Sequence, residues 1–274
     1  AGIGWGSGVA RPELRDVVTI GRFLRRRGGG KRIIKVVANT PRLFRDYKTA
    51  DSVVRKIEGT VIQDVSRRGK YIVFHLSTGR YFLIHLMMSG RLWLNPPERN
   101  PYDRMTLFLS GKNNLVLNDA RKFGRCRLLD SLNGVVGREP LSVSFPGFKE
   151  MLSQRNGAIK PILLNQKILA GIGNIYADEM LWHAAIHPLR KANDFGAGEM
   201  RSLWSAMRCV LAKGIEKGGT TMRSFQSPNG DAGGYYKIRK VYHRTGEKCS
   251  RDGAMIRRML VRQRSTHFCP KHQR

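Results

Sequence analysis

The chain has 274 residues, of which 41% are hydrophobic and 8% aromatic, so it is long and apolar enough for two or three packed units. It carries 50 Lys and Arg against 20 Asp and Glu, which gives a formal net charge of +30 at pH 7. Such a surface repels itself unless a polyanion neutralises it, so composition favours a nucleic-acid partner over a merely solvated basic surface. No apolar run approaches the roughly 20 residues of a membrane span, so we expect no membrane partner.

The N-terminal region divides into a leader and a helix. Residues 1–11 are Gly-rich and unlike a secretion signal, and we interpret them as a flexible leader. Because the sequence begins with Ala1, we expect that an initiator Met or a longer presequence has been removed. Apolar residues at helical spacing predict a helix over 13–27, which Gly28-Gly29-Gly30 ends.

The next hundred residues have a β pattern. From Lys31 to about Leu129, period-two alternation and short apolar runs separated by turn residues predict several short strands, as in a β-sandwich or barrel. Three of these runs are especially clear: 32–37, 71–76 and 81–86.

The rest of the chain reads as helices followed by a small β module. Residues 146–217 show helical patterns, with Met180–Trp182 and Ser202–Ile215 as the clearest amphipathic stretches. Residues 218–234 form a Gly-rich loop, and residues 236–274 are predicted to be a short β-rich module.

The C-terminal module has the spacing of a zinc site. Cys249-x2-Asp252 and Cys269-x2-His272 are two close ligand pairs on either side of a predicted hairpin, and all four side chains can bind Zn²⁺ tetrahedrally. We therefore predict zinc as a cofactor, with a metal-free hairpin held by packing as the alternative. Four cysteines in the whole chain are too few and too scattered for a disulfide framework, which favours a reducing compartment.

The hairpin between these pairs is rich in guanidinium groups, which suit a phosphate backbone or a groove. The basic residues predicted to bind nucleic acid there are Arg257, Arg258, Arg262 and Arg264.

A series of short motifs along residues 12–274 resembles the formamidopyrimidine-DNA glycosylase / endonuclease VIII family. The motifs, in family order, are Pro12-Glu13-Leu14, Gly69-Lys70-Tyr71, His85 to Gly90, Arg121 to Gly124, Glu139-Pro140-Leu141, Ala158 to Pro161, Gly171 to Glu179, Gly218 to Thr221 and the Cys249–His272 module. The resemblance implies an α+β multidomain fold. It would comprise a leader at 1–11, an N-terminal helix plus β-sandwich at 12–135, a helix-two-turn-helix domain at 136–236 and a zinc-finger-like β-hairpin at 237–274.

The resemblance also implies a catalytic apparatus. By motif match, the secondary amine of Pro12 would attack C1′ of a damaged nucleotide and form a Schiff base, after which β- and δ-elimination nick the strand. Glu13 would be the acid/base beside it, and Lys70 would assist at the phosphate and in elimination.

The remaining family positions would bind DNA. Met88, Arg121 and Phe123 would fill the gap left by the flipped nucleotide. Lys160, Asn174 and Arg264 would grip the phosphates beside the lesion. The loop from Thr221 to Tyr235 would cover the extruded base.

Several positions depart from the family pattern. As written, Pro12 lies inside the chain, where its nitrogen is a tertiary amide and has no nucleophilic lone pair. The other departures are Arg15, Asp16, Val18, Lys122 and the two zinc-site replacements Asp252 and His272.

These departures, together with the charge, set the functional hypotheses. We expect a nucleic-acid-binding protein, non-catalytic as written, on structured RNA within a large ribonucleoprotein, such as a mitochondrial or other organellar ribosome. The first alternative is an active DNA glycosylase and AP lyase of base-excision repair after removal of residues 1–11. The second is a lesion or abasic-site binder without lyase activity. We expect no small-molecule cofactor and an intracellular, organellar location.

Overall fold

The computed structural model describes residues 24–26, 29–217, 219 and 234–274. Within them the chain forms two compact units that divide between Leu132 and Asn133. The predicted leader, Pro12, Glu13 and most of the predicted first helix lie outside the described residues, although Leu24–Arg26 are helical. Most of the predicted covering loop also lies outside them.

The first unit is a pair of four-stranded antiparallel sheets. One has the strand order β1-β6-β7-β5 and the other β2-β3-β4-β8. The strands are β1 (Ile33–Ala38), β2 (Ile62–Arg68), β3 (Tyr71–Leu76), β4 (Tyr81–His85), β5 (Arg91–Leu94), β6 (Asp103–Leu109), β7 (Asn113–Asn118) and β8 (Arg125–Leu129). A 3-10 turn at Pro41–Phe44 and helix α1 (Asp51–Ile57) connect β1 to β2.

Side chains from both sheets form one hydrophobic cluster, which includes Ile33, Phe74, Phe82, Leu107 and Leu117. Each is almost fully buried, and burying a side chain of this size contributes on the order of 1.5–3 kcal/mol. The predicted β-sandwich is therefore the architecture of the first unit.

Among the described residues, most of the helices belong to the second unit. They are α2 (Phe145–Ser153), α3 (Ile159–Leu164), α4 (Asn174–His183), a 3-10 turn at Ala192–Asp194, α5 (Ala197–Glu216) and α6 (Tyr235–Ile238). Helix α2 begins at Phe145, where the Ser144 hydroxyl accepts a hydrogen bond from the amide of Gly147 and Pro146 occupies the first turn.

Helix α4 packs closely against α5. A Cβ added at Gly214 of α5 would lie 2.6 Å from the phenol oxygen of Tyr176 of α4, so this glycine permits the close approach. The prediction of an amphipathic stretch at Met180–Trp182 is wrong, because every residue from Ile175 to Trp182 is buried. Helix α5, in contrast, buries one face, as the sequence predicts for Ser202–Ile215.

The C-terminal module is an antiparallel hairpin of β9 (Arg257–Val261) and β10 (Arg264–Phe268). It has its own small apolar cluster of Val241, Cys249, Ile256 and Cys269 around Trp182 of α4. Among the described residues, none of the helices has the length and apolar character needed to cross a membrane.

Candidate nucleic-acid interface

Lys70 lies in the tight turn between β2 and β3. Arg68 pairs with Tyr71 across the hairpin, so Gly69 and Lys70 are the two turn residues. Gly69 has a φ of 56°, a left-handed conformation that glycine adopts without strain. The half-buried Lys70 therefore lies at the tip of the β2–β3 hairpin.

Met88 lies in the turn that follows β4. The amide of Met87 donates to Nδ1 of His85 at 2.9 Å, and the amide of Gly90 donates to the carbonyl of Leu86 at 2.9 Å. A Cβ at Gly90 would lie 2.5 Å from that carbonyl oxygen, so the turn needs glycine there. Met88 itself is half-buried.

Arg121 and Phe123 share a loop between β7 and β8. The Arg121 guanidinium lies 4.8 Å from the centre of the Phe123 ring, within the range of a cation–π contact. The carboxylate of Asp119, which is fully buried, accepts hydrogen bonds from the amides of Arg121 at 3.2 Å and Gly124 at 2.7 Å. Its Oδ1 also accepts a hydrogen bond from the hydroxyl of Ser89, in the Met88 turn.

Lys160 is fully buried, which changes the role that we infer for it. Its Nζ lies 2.5 Å from Oδ1 of Asp178 and donates to Oγ1 of Thr266 at 2.8 Å and to the carbonyl of Ser265 at 3.1 Å. Burial lowers the pKa of Lys160, and the nearby Asp178 carboxylate opposes that shift. Lys160 therefore supports the backbone beside Arg264. The phosphate contact that the family resemblance implies for Lys160 would need an exposed ammonium group.

Two consecutive acids of α4 hold the C-terminal module. Oδ2 of Asp178 accepts a hydrogen bond from the amide of His267 in β10 at 2.9 Å. The Glu179 carboxylate accepts from the amides of Lys240, Val241 and Tyr242 at 2.7, 2.9 and 3.0 Å. Burial raises the pKa of Glu179, while these three amides act in the opposite direction.

Asn174 and Arg264 approach the same short segment. Nδ2 of Asn174 donates to the carbonyl of Ser265 at 2.8 Å, the carbonyl that Lys160 also contacts. Asn174 is the first residue of α4, where free helix amides favour an anion. Its Oδ1 is buried with no hydrogen-bond partner.

The hairpin tip presents the predicted basic residues. Arg257, Arg258 and Arg262 are exposed, and Arg264 is half-buried. Arg262 and Gln263 form the two-residue turn, with φ values of 45° and 60°, which is the backbone of a type I′ turn. The guanidinium of Arg258 donates to the hydroxyl of Ser265 at 3.0 and 3.1 Å, which fixes its orientation.

The structure brings three of the four predicted zinc ligands together. The ligand atoms of Cys249, Asp252 and Cys269 all lie within 4.8 Å of one another. Both carboxylate oxygens of Asp252 are 3.3 Å from Sγ of Cys269, and burial raises the pKa of that thiol to about 11. Two thiols and a carboxylate are donors that suit Zn²⁺, whose binding would displace the thiol protons.

The ring of His272 lies outside this group. Its Nε2 is 2.9 Å from the carbonyl oxygen of Trp182 and 2.7 Å from Nη1 of Arg251, whereas its backbone amide points to Sγ of Cys269 at 3.4 Å. The Trp182 carbonyl can only accept and the Arg251 guanidinium can only donate, so the two contacts require opposite roles of Nε2 and do not establish a lone pair on Nδ1 for a cation.

Sequence reasoning missed Asp119 and Asp178, which organise the loop and the hairpin described above. Asp119 lies two residues before the Arg121 to Gly124 motif, and Asp178 lies inside the Gly171 to Glu179 motif. An acid beside the basic residues at 121–125 was the available signal for Asp119, and two consecutive acids in an otherwise apolar stretch were the signal for Asp178, because a buried carboxylate is almost always paired.

Comparisons with known proteins identify the family of the chain. The family model for the formamidopyrimidine-DNA glycosylase N-terminal domain matches residues 11–126, and that for the H2TH domain of the same enzymes matches residues 136–226. The formamidopyrimidine-DNA glycosylase of Roseiflexus sp. is 38% identical over 96% of this chain and 100% of its own length. That of Protochlamydia amoebophila is 36% identical over 94% of this chain and 98% of its own length.

Solved structures give the same result. A complex between the Lactococcus lactis Fpg and DNA containing an abasic site has a TM-score of 0.87 and 35% sequence identity, covering 96% of this chain and all of that one. A structure of MutM in complex with DNA containing carbocyclic 8-oxo-G has a TM-score of 0.86 with the same identity and coverage. On this evidence the chain belongs to the formamidopyrimidine-DNA glycosylase family.

Proposed function

We propose that this protein binds damaged DNA and acts on it as a DNA glycosylase with AP lyase activity. The observation that carries the proposal is the likeness over nearly the whole chain to proteins named as glycosylases and to structures solved with lesion-containing DNA. The arrangement of Asn174 and the basic hairpin supports DNA binding, because a helix start and exposed guanidinium groups both favour phosphate.

The expected association with RNA in an organellar ribosome gains nothing from these comparisons. Its support is the internal position of Pro12, which removal of residues 1–11 would reverse, and the net charge of +30, which favours any polyanion and does not separate RNA from DNA. The comparisons favour the first alternative, the repair glycosylase. The cellular compartment stays a prediction from the sequence.

In the proposed reaction, the nitrogen of Pro12 forms a bond to C1′ of the damaged nucleotide while the bond from C1′ to the base breaks. The base leaves with the bonding electrons and takes up a proton. The Pro12 nitrogen then loses its own proton, and its lone pair forms a double bond to C1′ as the bond from C1′ to O4′ breaks and O4′ takes up a proton. The resulting Schiff base activates the sugar for elimination, with Glu13 as the acid/base and Lys70 assisting. The step requires Pro12 as a free secondary amine.

We also infer that zinc occupies the C-terminal module, held by Cys249, Asp252 and Cys269, and that the ring of His272 turns toward the ion to supply the fourth ligand. Zinc would hold the turn at 249–252 to the end of the hairpin and so fix the direction of β9 and β10. The proximity of two thiols and one carboxylate supports this inference.

Borohydride trapping tests the proposal. The full chain and a form that begins at Pro12 are each incubated with abasic-site duplex and borohydride, and covalent adducts are weighed and mapped. We expect an adduct on Pro12 in the trimmed form, because only there is the amine free. Glu13→Gln in the trimmed form should keep DNA binding and lose base release from a damaged duplex.

The full chain is the matched control, since it differs only in residues 1–11. Tight binding to the duplex with no adduct in either form would overturn the enzymatic proposal and leave a DNA-binding protein. Stronger binding to folded RNA than to lesion-containing DNA at the same salt would favour the original expectation.

A further inference from the structure

We propose that Asp119 is the positioning residue that fixes the two loops predicted to fill the gap in damaged DNA. The proposal rests on the proposed function and concerns the first unit alone. It follows from the way one buried carboxylate joins the Met88 turn to the Arg121 loop.

Asp119 uses both carboxylate oxygens, and its partners come from two separate loops. Oδ1 accepts from the Ser89 hydroxyl and from the amide of Arg121, and Oδ2 accepts from the amide of Gly124. Because the side chain is fully buried, these bonds are not in competition with water. The Asp119 side chain therefore sets the distance between Ser89 in the Met88 turn and both Arg121 and Gly124 in the Arg121 loop.

The backbone of Asp119 is held equally firmly. Its amide donates to the carbonyl of Tyr102 at 2.8 Å, and its carbonyl accepts from Nε of Arg104 at 2.8 Å. Asp119 thus stands on the sheet, anchored to β6, while its side chain reaches the loops. The positions of the two loops are therefore determined by the β-sandwich through Asp119.

Both loops contain residues that need an external restraint. Met87 and Lys122 have φ values of 55° and 56°, a left-handed conformation that is costly for residues other than glycine. Such conformations persist where surrounding contacts determine them. The bonds to Ser89, Arg121 and Gly124 lie within two residues of these positions and supply that restraint.

A second clamp acts on the Arg121 loop from outside. Nη2 of Arg45 donates to the carbonyls of Phe123 and Gly124 at 2.7 and 2.6 Å. A Cβ at Gly124 would lie 3.2 Å from Oδ2 of Asp119, so glycine lets the amide approach the carboxylate closely. The loop is therefore held between a buried anion and a surface cation.

This arrangement matters because Met88, Arg121 and Phe123 would have to enter one gap together. Side chains that replace a missing nucleotide gain stacking and packing only in a narrow range of positions. If Asp119 sets their relative positions before DNA binds, loss of its charge should weaken recognition of the gap and leave phosphate binding by the second unit intact.

The test compares Asp119→Asn with the full-length protein. An asparagine keeps the shape of the side chain but replaces one carboxylate oxygen with an NH₂ group. All three partners of Asp119 are donors, so this NH₂ group cannot accept a bond from the partner that it faces. Affinities for intact duplex and for the same duplex with an abasic-site analogue are measured at fixed salt. A 2-aminopurine placed opposite the abasic site reports whether that base becomes unstacked.

We expect Asp119→Asn to lose about tenfold in its preference for the abasic duplex, to bind intact duplex as the wild type does, and to give a smaller 2-aminopurine signal. Asp103→Asn is the matched control, because Asp103 also accepts two hydrogen bonds in this unit, from Asn100 and Asn118, but holds neither loop. It should keep the full preference.

Ser89→Ala provides a milder variant in case Asp119→Asn does not fold. It removes one of the three bonds to the carboxylate and should lose part of the preference, which Ser89→Thr should restore because its hydroxyl is kept. Folded Asp119→Asn and Ser89→Ala proteins with the wild-type preference would overturn the inference while the proposed function stands. A wild-type protein with no preference for the abasic duplex would overturn both.

Discussion

Replacing Asp178 with asparagine should destabilise the second unit strongly, because Asp178 neutralises a lysine that has no access to water. Both side chains of the Lys160–Asp178 pair are 0% exposed, and Nζ and Oδ1 lie 2.5 Å apart. Removal of one partner from such a pair typically costs about 3–5 kcal/mol, since the other charge stays buried. In the wild type, Oδ2 of Asp178 accepts a hydrogen bond from the amide of His267 at 2.9 Å. The remaining oxygen of asparagine can still accept that bond. We therefore expect a loss of about 3–5 kcal/mol in the free energy of unfolding.

Urea unfolding followed by tryptophan fluorescence measures this loss, because Trp182 and Trp204 both lie in the second unit. Lys160→Met should cost a similar amount, since it leaves the Asp178 carboxylate unpaired. The double variant Lys160→Met with Asp178→Leu should cost well below the sum, because no buried charge remains. Asp194→Asn, at an exposed position, should change stability by less than about 0.5 kcal/mol. A cost below about 1 kcal/mol for Asp178→Asn would refute the reasoning, as would additive costs in the double variant.

Three further outcomes are expected. Burial first, and then nearby cations, lower the pKa of His183 from 6.5 to about 4. Between these two pH values the unfolded chain binds the proton and the native chain does not, so the free energy of unfolding should rise with pH. The rise should be larger in the wild type than in His183→Gln, and equal slopes in urea titrations at several pH values would contradict this. Asp252→Cys should slow the release of zinc to a chelating dye, because thiolate is the softer ligand; faster release would exclude Asp252 as a ligand. Replacing Arg257, Arg258 and Arg262 together with alanine should lower the slope of log affinity for DNA against log salt by up to about 2.7, and an unchanged slope would show that these residues do not contact phosphate.

The strands of the first unit were predictable because their signals are local. Tyr71–Leu76 is the same segment in the sequence pattern and in β3, and the run at 81–86 differs from β4 by one residue. Each is bounded by turn residues and is apolar enough to be buried on both faces. Local patterns of this kind do not depend on where the rest of the chain lies.

The placement of charged side chains was not predictable in this way. Lys160 resembles a surface lysine in sequence, yet its partners Asp178, Ser265 and Thr266 come from a different helix and from the hairpin. Asp119 likewise meets Ser89, which is thirty positions away. Only the tertiary fold brings such groups together, and a buried charge is identified by its partners.

The complete burial of α4 from Ile175 to Trp182 has a consequence for how the protein tolerates sequence change. A helix with one exposed face accepts many substitutions there, as the outer face of α5 should. Helix α4 has no exposed face in these eight positions. Two of the eight are Asp178 and Glu179, and most substitutions of either would leave a buried donor without an acceptor. In a library of random variants this short segment should therefore be the most depleted part of the second unit, whichever nucleic acid the library is selected to bind.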